Sequence, residues 1–202
     1  FDMLFKDIHL EKKLFHKERD INLVMPGKHN ISNAVVASAV AYYLGANTKQ
    51  IRDSINTFKG IERRYELLIN NSKLIFIDDY AHHPEEVSST INTTKKLFPK
   101  RDITVVFQPH LFSRTQDFAQ EFAVSLSLAD QLILLDIYPA REKPILGVDS
   151  KMLLNLCTNP KKEICSKKEL LKKLEFKELD ILLTLGAGDI GRMAKPIKHM
   201  LN

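Results

Sequence analysis

Two aspartates and two histidines crowd into the run Ile75-Phe76-Ile77-Asp78-Asp79-Tyr80-Ala81-His82-His83-Pro84-Glu85-Glu86-Val87. Carboxylates and imidazoles so close together can bind a ligand, move a proton, hold a metal or cap a helix. Three further runs carry reactive or anion-binding groups. They are Gln108-Pro109-His110-Leu111-Phe112-Ser113-Arg114-Thr115, Asp136-Ile137-Tyr138-Pro139-Ala140-Arg141-Glu142 and Gly186-Ala187-Gly188-Asp189-Ile190-Gly191. Guanidinium and imidazole groups beside a glycine-rich turn suit a small anionic substrate better than an apolar one.

Each run follows an apolar, β-favouring segment and precedes a helical pattern. The pattern predicts strands over 65–69, 73–78, 103–107, 131–136 and 180–185. It predicts helices over 84–98, 114–128, 150–156, 167–175 and 188–201, with Pro84 in a first helical turn, where its missing N–H is harmless. Alternating strands and helices define an α/β, Rossmann-like domain with a mostly parallel sheet covered on both faces. In such a sheet all four polar turns gather at the carboxyl edge, the usual place for a ligand. That shared placement says more than any one turn, since a single polar turn is equally a solvated cap.

The first sixty residues read differently. Met3-Leu4-Phe5, Ile8-His9-Leu10 and Ile21-Asn22-Leu23-Val24 look like strands. The run Met25-Pro26-Gly27-Lys28-His29-Asn30 looks like a turn, followed by an alanine-rich helix from Ile31 to Leu44 that Gly45 closes. A shorter helix is expected from Thr48 to Phe58. Asn30 and Asn33 share one side of the first turn of the longer helix, as a cap or as ligand contacts. Gly60, followed by Arg63-Arg64, marks a boundary, giving units 1–60 and 61–202.

Several functions are disfavoured. The net charge of +5 comes from 30 basic and 25 acidic residues. The lysine pairs at 161–162, 167–168 and 172–173 are expected on a solvated helix and its approach. No basic stripe interleaves with stacking aromatics, so nucleic acid is not an expected partner. Cys157 and Cys165 cannot build a metal framework alone, and a disulfide between them is not expected. No apolar run approaches the ~20 residues that span a bilayer; no membrane association is expected. A metal site from Asp78, Asp79, His82, His83 and His110 is conceivable but matches no recognised ligand spacing. A serine hydrolase lacks its G-x-S-x-G elbow. The glycines at 186, 188 and 191 match a dinucleotide fingerprint but lack the second βαβ unit and the acidic residue ~20 positions on. The chain does not begin with methionine, and a fragment or a processed product is expected.

Pro26-Gly27-Lys28-His29-Asn30-Ile31-Ser32-Asn33-Ala34, then Gly60 with Arg63-Arg64, then Asp78-Asp79-Tyr80-Ala81-His82-His83-Pro84-Glu85-Glu86-Val87 resemble the Mur ligases of peptidoglycan synthesis. The resemblance runs along essentially the whole chain. The runs Phe107 to Thr115 and Leu135 to Glu142 resemble the branch that joins L-alanine to UDP-N-acetylmuramate. A murein tripeptide ligase of the same superfamily and a non-catalytic Rossmann-like binding module are the alternatives.

The resemblance implies a cytoplasmic ATP-dependent carboxylate–amine ligase, working through an acyl phosphate with magnesium. Residues 1–60 would be the tail of its central ATP-binding domain and 61–202 its C-terminal domain. Asn30 and Asn33 would contact adenine, Arg64 the ATP phosphates and Asp79 the ribose. Tyr80, His82, His110 and Arg114 would face the amino acid and the acyl phosphate. The phosphate loop and the main magnesium ligands are not in this sequence, so the chain alone is expected to be catalytically silent. Leu111 stands where many relatives carry arginine, and Ala81 where many carry glycine.

Overall fold

A computed structural model describes residues 3–6, 15–18, 21–23 and 25–202. The chain divides into two compact units, Phe1–Gly60 and Ile61–Asn202.

In the first unit β1 (Met3–Lys6) pairs antiparallel with β2 (Phe15–Glu18). The segment Ile8-His9-Leu10 and Val24 lie outside the described residues. Ile21 to Leu23 do not form the expected strand. Ile21 is instead buried against Ile51, Ala41, Tyr42 and Ile55, and the Asn22 N–H donates to Asn56 Oδ1 at 2.8 Å. An apolar residue that plugs a helix pair has the composition of a strand residue without needing a ladder partner. Helix α1 (Lys28–Tyr43) starts one turn earlier than Ile31, because the Gly27 carbonyl accepts the N–H groups of Asn30 and Ile31. It closes at Gly45, whose φ of 94° only glycine adopts freely. Helix α2 (Thr48–Thr57) opens with a reciprocal Asn47–Gln50 capping box.

The second unit is a six-stranded sheet. Its strands are β3 (Glu66–Asn70), β4 (Ile75–Asp79), β5 (Ile103–Phe107), β6 (Gln131–Leu134), β7 (Lys161–Ile164) and β8 (Ile181–Leu185). The spatial order is β3-β4-β8-β5-β6-β7. Only β3 runs antiparallel; the other five are parallel. Alternation along the strands sorts two cores. Ile75, Ile77, Val105, Phe107, Leu132, Leu134, Leu183 and Leu185 face α3 (Pro84–Leu97), α5 (Ala119–Leu126) and α6 (Ser150–Leu156). Phe76, Val106, Ile133 and Leu182 join a separate core with residues of α7 (Leu170–Glu175) and α8 (Ala194–Leu201). Burial on both faces is why these strands read as nearly continuous apolar runs.

Strand β7 was not expected. Lys161-Lys162-Glu163-Ile164 carries three charges, yet it adds to the sheet beside β6, so Lys161 and Lys162 lie in a strand rather than on a helix approach. It is an edge strand, where charge is tolerated and discourages pairing with other chains. Glu163 holds Lys173 and, at 3.1 Å, Lys177. The helix expected over 114–128 is two, α4 (Phe112–Asp117) and α5, bent at Phe118. The last helix likewise begins as a 3₁₀ turn, Asp189–Met193. Cys157 and Cys165 are buried free thiols. Among the described residues no helix is long and apolar enough to cross a membrane.

Candidate active site at the carboxyl edge

Because β4, β8, β5 and β6 are parallel neighbours, the turns that follow them share one edge. The site is built outward from β4. Asp78, with no solvent exposure, accepts Arg63 Nε at 2.8 Å and the Thr184 hydroxyl at 2.5 Å. Burial pushes its carboxyl up, and these two donors oppose that shift. Arg63 also donates to the Gly186 carbonyl at 2.5 Å and lies 5.1 Å above the Tyr80 ring. Asp79 is 9% exposed; Oδ2 accepts the Tyr65 N–H at 2.9 Å and Oδ1 the Ala81 N–H at 2.8 Å. Burial raises its carboxyl as well, against those two N–H groups.

Those bonds hold an uncommon backbone. Arg63 and Tyr65 have φ of 60° and 51°, left-handed values that are rare for bulky side chains. The Arg63 carbonyl accepts the Tyr80 N–H at 2.7 Å, and its own N–H reaches Glu66 at 2.9 Å. Arg63 is thus fastened to the sheet, while Arg64 beside it is exposed.

The imidazoles sit on the next two turns. His82 Nδ1 lies 3.1 Å from the Tyr80 carbonyl and 3.2 Å from Glu86 Oε2. The same Glu86 oxygen accepts the backbone N–H groups of His82 and His83 at 2.9 and 3.2 Å. The His82 ring is 6.2 Å from that of His110, and Tyr80 meets His82 edge-on. His110 stacks on Tyr138 and takes Arg114 Nη1 at 3.4 Å on Nδ1. Partial burial, Arg114 and His82 hold the His110 imidazole below its ordinary range. His83 takes no part in this cluster; its ring packs on Phe118 at 4.8 Å.

The β5 and β6 turns are tied to each other. The Leu111 N–H donates to the Tyr138 carbonyl, and Leu111 has a φ of 73°. Glu142 accepts the Ser113 N–H at 3.0 Å and its hydroxyl at 2.5 Å, which holds its carboxyl below the usual range. Gln108 spans to the glycine-rich turn, donating to Asp189 at 2.8 Å and accepting from the Ile190 N–H at 2.9 Å. Lys167 pairs with the same Asp189. The glycines there serve close packing. A Cβ on Gly186 would sit 2.6 Å from the Gln108 carbonyl, on Gly188 2.8 Å from Tyr138, and on Gly191 2.5 Å from Arg63. Gln108, Tyr138 and Arg63 thus approach this turn closely.

In the first unit Asn30 is buried and donates to the Pro26 carbonyl at 2.7 Å, whereas Asn33 is exposed. No three His, Cys, Asp or Glu side chains among the described residues form a metal cage, and Asp78 and Asp79 already hold protein donors. The residues present therefore do not by themselves fit magnesium. A cavity of about 450 Å³ opens at the opposite, amino edge of the sheet, beside Thr104, Gln131 and Lys161. It lies away from the imidazoles and mixes both signs of charge, so size does not make it the reactive centre.

Sequence reasoning passed over Arg63, Glu86 and Thr184 as site-building groups. Thr184 had a signal, as the one polar residue inside the apolar strand Ile181-Leu182-Leu183-Thr184-Leu185. The pairing of Arg63 with Asp78, fifteen residues apart, had none.

This edge, with its protein-packed glycine-rich turn and paired buried acids, closes a six-stranded α/β domain. The chain belongs to the Mur ligase family: the family described as Mur ligase, glutamate ligase domain matches residues 63–188. Over 184 residues it is 47% identical to a UDP-N-acetylmuramate–L-alanine ligase from Cytophaga hutchinsonii, covering 91% of this chain and 40% of that one. It is also 47% identical to the ligase of the same name from Flavobacterium johnsoniae, covering 91% and 41%. Among solved structures it resembles the UDP-N-acetylmuramate-alanine ligase from Thermotoga maritima, with a TM-score of 0.71 and 28% identity, covering 93% and 40%. The chain thus spans about two fifths of the length of these relatives.

Proposed function

We propose that this chain is the C-terminal part of an ATP-dependent ligase that joins L-alanine to UDP-N-acetylmuramate through an acyl phosphate. The observation that carries the reading is the cluster of His82, His110 and Arg114 at the carboxyl edge, with His110 between the other two. Arg114 is a fixed cation suited to a carboxylate or to developing phosphoryl charge. His110 and His82 offer one hydrogen-bonding edge each, and Tyr80 is a partly exposed wall beside them.

Residues 1–60 are the end of a central nucleotide-binding domain in this reading. Val36 and Val40 on α1, 63% and 53% exposed, support a further layer over that helix. ATP is the phosphoryl donor. Asn33 and Asn30 take the adenine side, Arg64 the phosphates and Asp79 the ribose. The exposure of Arg64 supports its part. Asp79 Oδ2 has accepted the Tyr65 N–H and, at 3.4 Å, the Thr90 hydroxyl, whereas Oδ1 has accepted only the Ala81 N–H, which leaves a second lone pair there for a ribose hydroxyl. Magnesium would need ligands from outside the described residues. A cytoplasmic location goes with this reading.

The test is Arg114→Ala in a protein of the relatives' full length. Loss of L-alanine-dependent phosphate release, by about 2–5 kcal/mol in transition-state terms if the charge pair is desolvated, is the expected result. Unchanged turnover would favour a binding module.

A further inference from the structure

The two facing histidines have opposite hydrogen-bonding surroundings. His82 Nδ1 meets only acceptors, the Tyr80 carbonyl at 3.1 Å and Glu86 Oε2 at 3.2 Å. A carbonyl and a carboxylate cannot donate, so Nδ1 carries the hydrogen, and Nε2 of the neutral ring carries the lone pair. His110 is the reverse. Its Nδ1 meets a guanidinium, which can only donate, so Nδ1 holds the lone pair and Nε2 the hydrogen. One ring therefore presents an acceptor and the other a donor, with centroids 6.2 Å apart.

We propose that His82 and His110 divide the amino-acid substrate between them: His82 Nε2 removes the proton from its ammonium group, and His110 Nε2–H holds its carboxylate together with Arg114. Glu86 is the positioning residue, fixing the tautomer of His82 and favouring the imidazolium that forms. This rests on the ligase reading above and adds the assignment of the base.

The step balances. An ammonium has no lone pair, so one proton passes to His82 Nε2, and the freed pair attacks the acyl carbon. The C–N bond forms, the bond to the phosphate oxygen breaks, and the second nitrogen proton leaves with the phosphate. The groups facing His82 are Tyr80 on its own turn, Glu86 on α3 and His110 on the β5 turn. Arg114 and Glu142 act on His110 from beyond, and Arg63 lies over Tyr80. The lowered proton affinity of His110 agrees with a ring that stays neutral beside Arg114.

The plain alternative is that Glu86 only caps α3, since it also accepts two backbone N–H groups. Three measurements on the full-length ligase decide. Selective ¹⁵N-histidine NMR should show His82 as the Nδ1–H tautomer and His110 as the Nε2–H tautomer; the same tautomer for both would overturn the proposal. Glu86→Gln keeps the acceptor but loses the charge. It should slow turnover with L-alanine severalfold while leaving turnover with hydroxylamine, and equal effects on both would mean a cap only. His82→Gln should lose about 10²-fold or more with L-alanine. It should keep its turnover with hydroxylamine, a nucleophile already unprotonated at neutral pH; equal losses with both would overturn the base assignment. Wild-type protein with no L-alanine-dependent turnover would sink the ligase reading, and this proposal with it, whatever the tautomers.

Discussion

The guanidinium of Arg63 lies 2.8 Å from the carboxylate of Asp78, which has no exposure to water. Removing the cation leaves a buried anion with a single hydroxyl donor, Thr184. Arg63→Ala should therefore destabilise the second unit by about 3–5 kcal/mol, the usual range for an orphaned buried charge. Urea denaturation checks it, and a loss under about 1 kcal/mol would show that the pair is not structural.

The glycine-rich turn has a steric requirement. Gly188→Ala would press a methyl group against Tyr138 and Gln108, at 2.8 and 2.4 Å. The expected outcome is a loss of about 1–3 kcal/mol, as for other overpacked sites. Gly147→Ala is the control, with open space around its Cβ and only backbone strain to meet. If Gly188→Ala were no worse than that control, packing would not explain the glycine.

Burial pushes the Cys157 thiol up to about 11 and raises Cys165 as well. The thiolate is the reactive form, so neither should alkylate in the native protein near neutral pH. Mass spectrometry after iodoacetamide should find both unmodified until denaturant is added. Native modification of Cys157 would contradict its buried place at the carboxyl end of α6.

His110 links the site to acid stability. Its proton affinity is lowered in the folded state, so the unfolded chain binds the proton more readily. The stability it contributes is present above the ordinary histidine value and is lost as pH falls toward the folded value. His110→Gln should flatten the decline in unfolding free energy as pH falls through and below the ordinary histidine value. An unchanged slope would assign that decline to other groups.

The architecture was legible where burial is two-sided. Ile75 to Ile77, Ile103 to Phe107 and Ile181 to Leu185 could only be strands between layers. Strand β7 was not legible, because an edge strand has no buried face to impose a pattern and its lysines look like any solvated surface. Ile21 misled for the opposite reason, being buried without a ladder. In the site, the grouping of His82, His110 and Arg114 followed from parallel strands ending at one edge. The separate fates of Arg63 and Arg64 did not. Two adjacent arginines look alike in sequence, and only the left-handed turn at Arg63 sends one guanidinium into the sheet.

Strand β8 is the last of the six along the chain, yet it lies between β4 and β5 near the middle of the sheet. Its Thr184 meets Asp78 across 106 residues of sequence. During synthesis, β4 and β5 emerge early and have no strand to join them to each other until β8 follows. Such a topology pays its loop-closure entropy late and folds slowly, with open strand edges in the meantime. A premature stop ahead of Ile181 would delete the strand that joins the two halves of the sheet. Products truncated ahead of β8 should therefore be open to proteolysis, because their sheet stays in two unjoined halves.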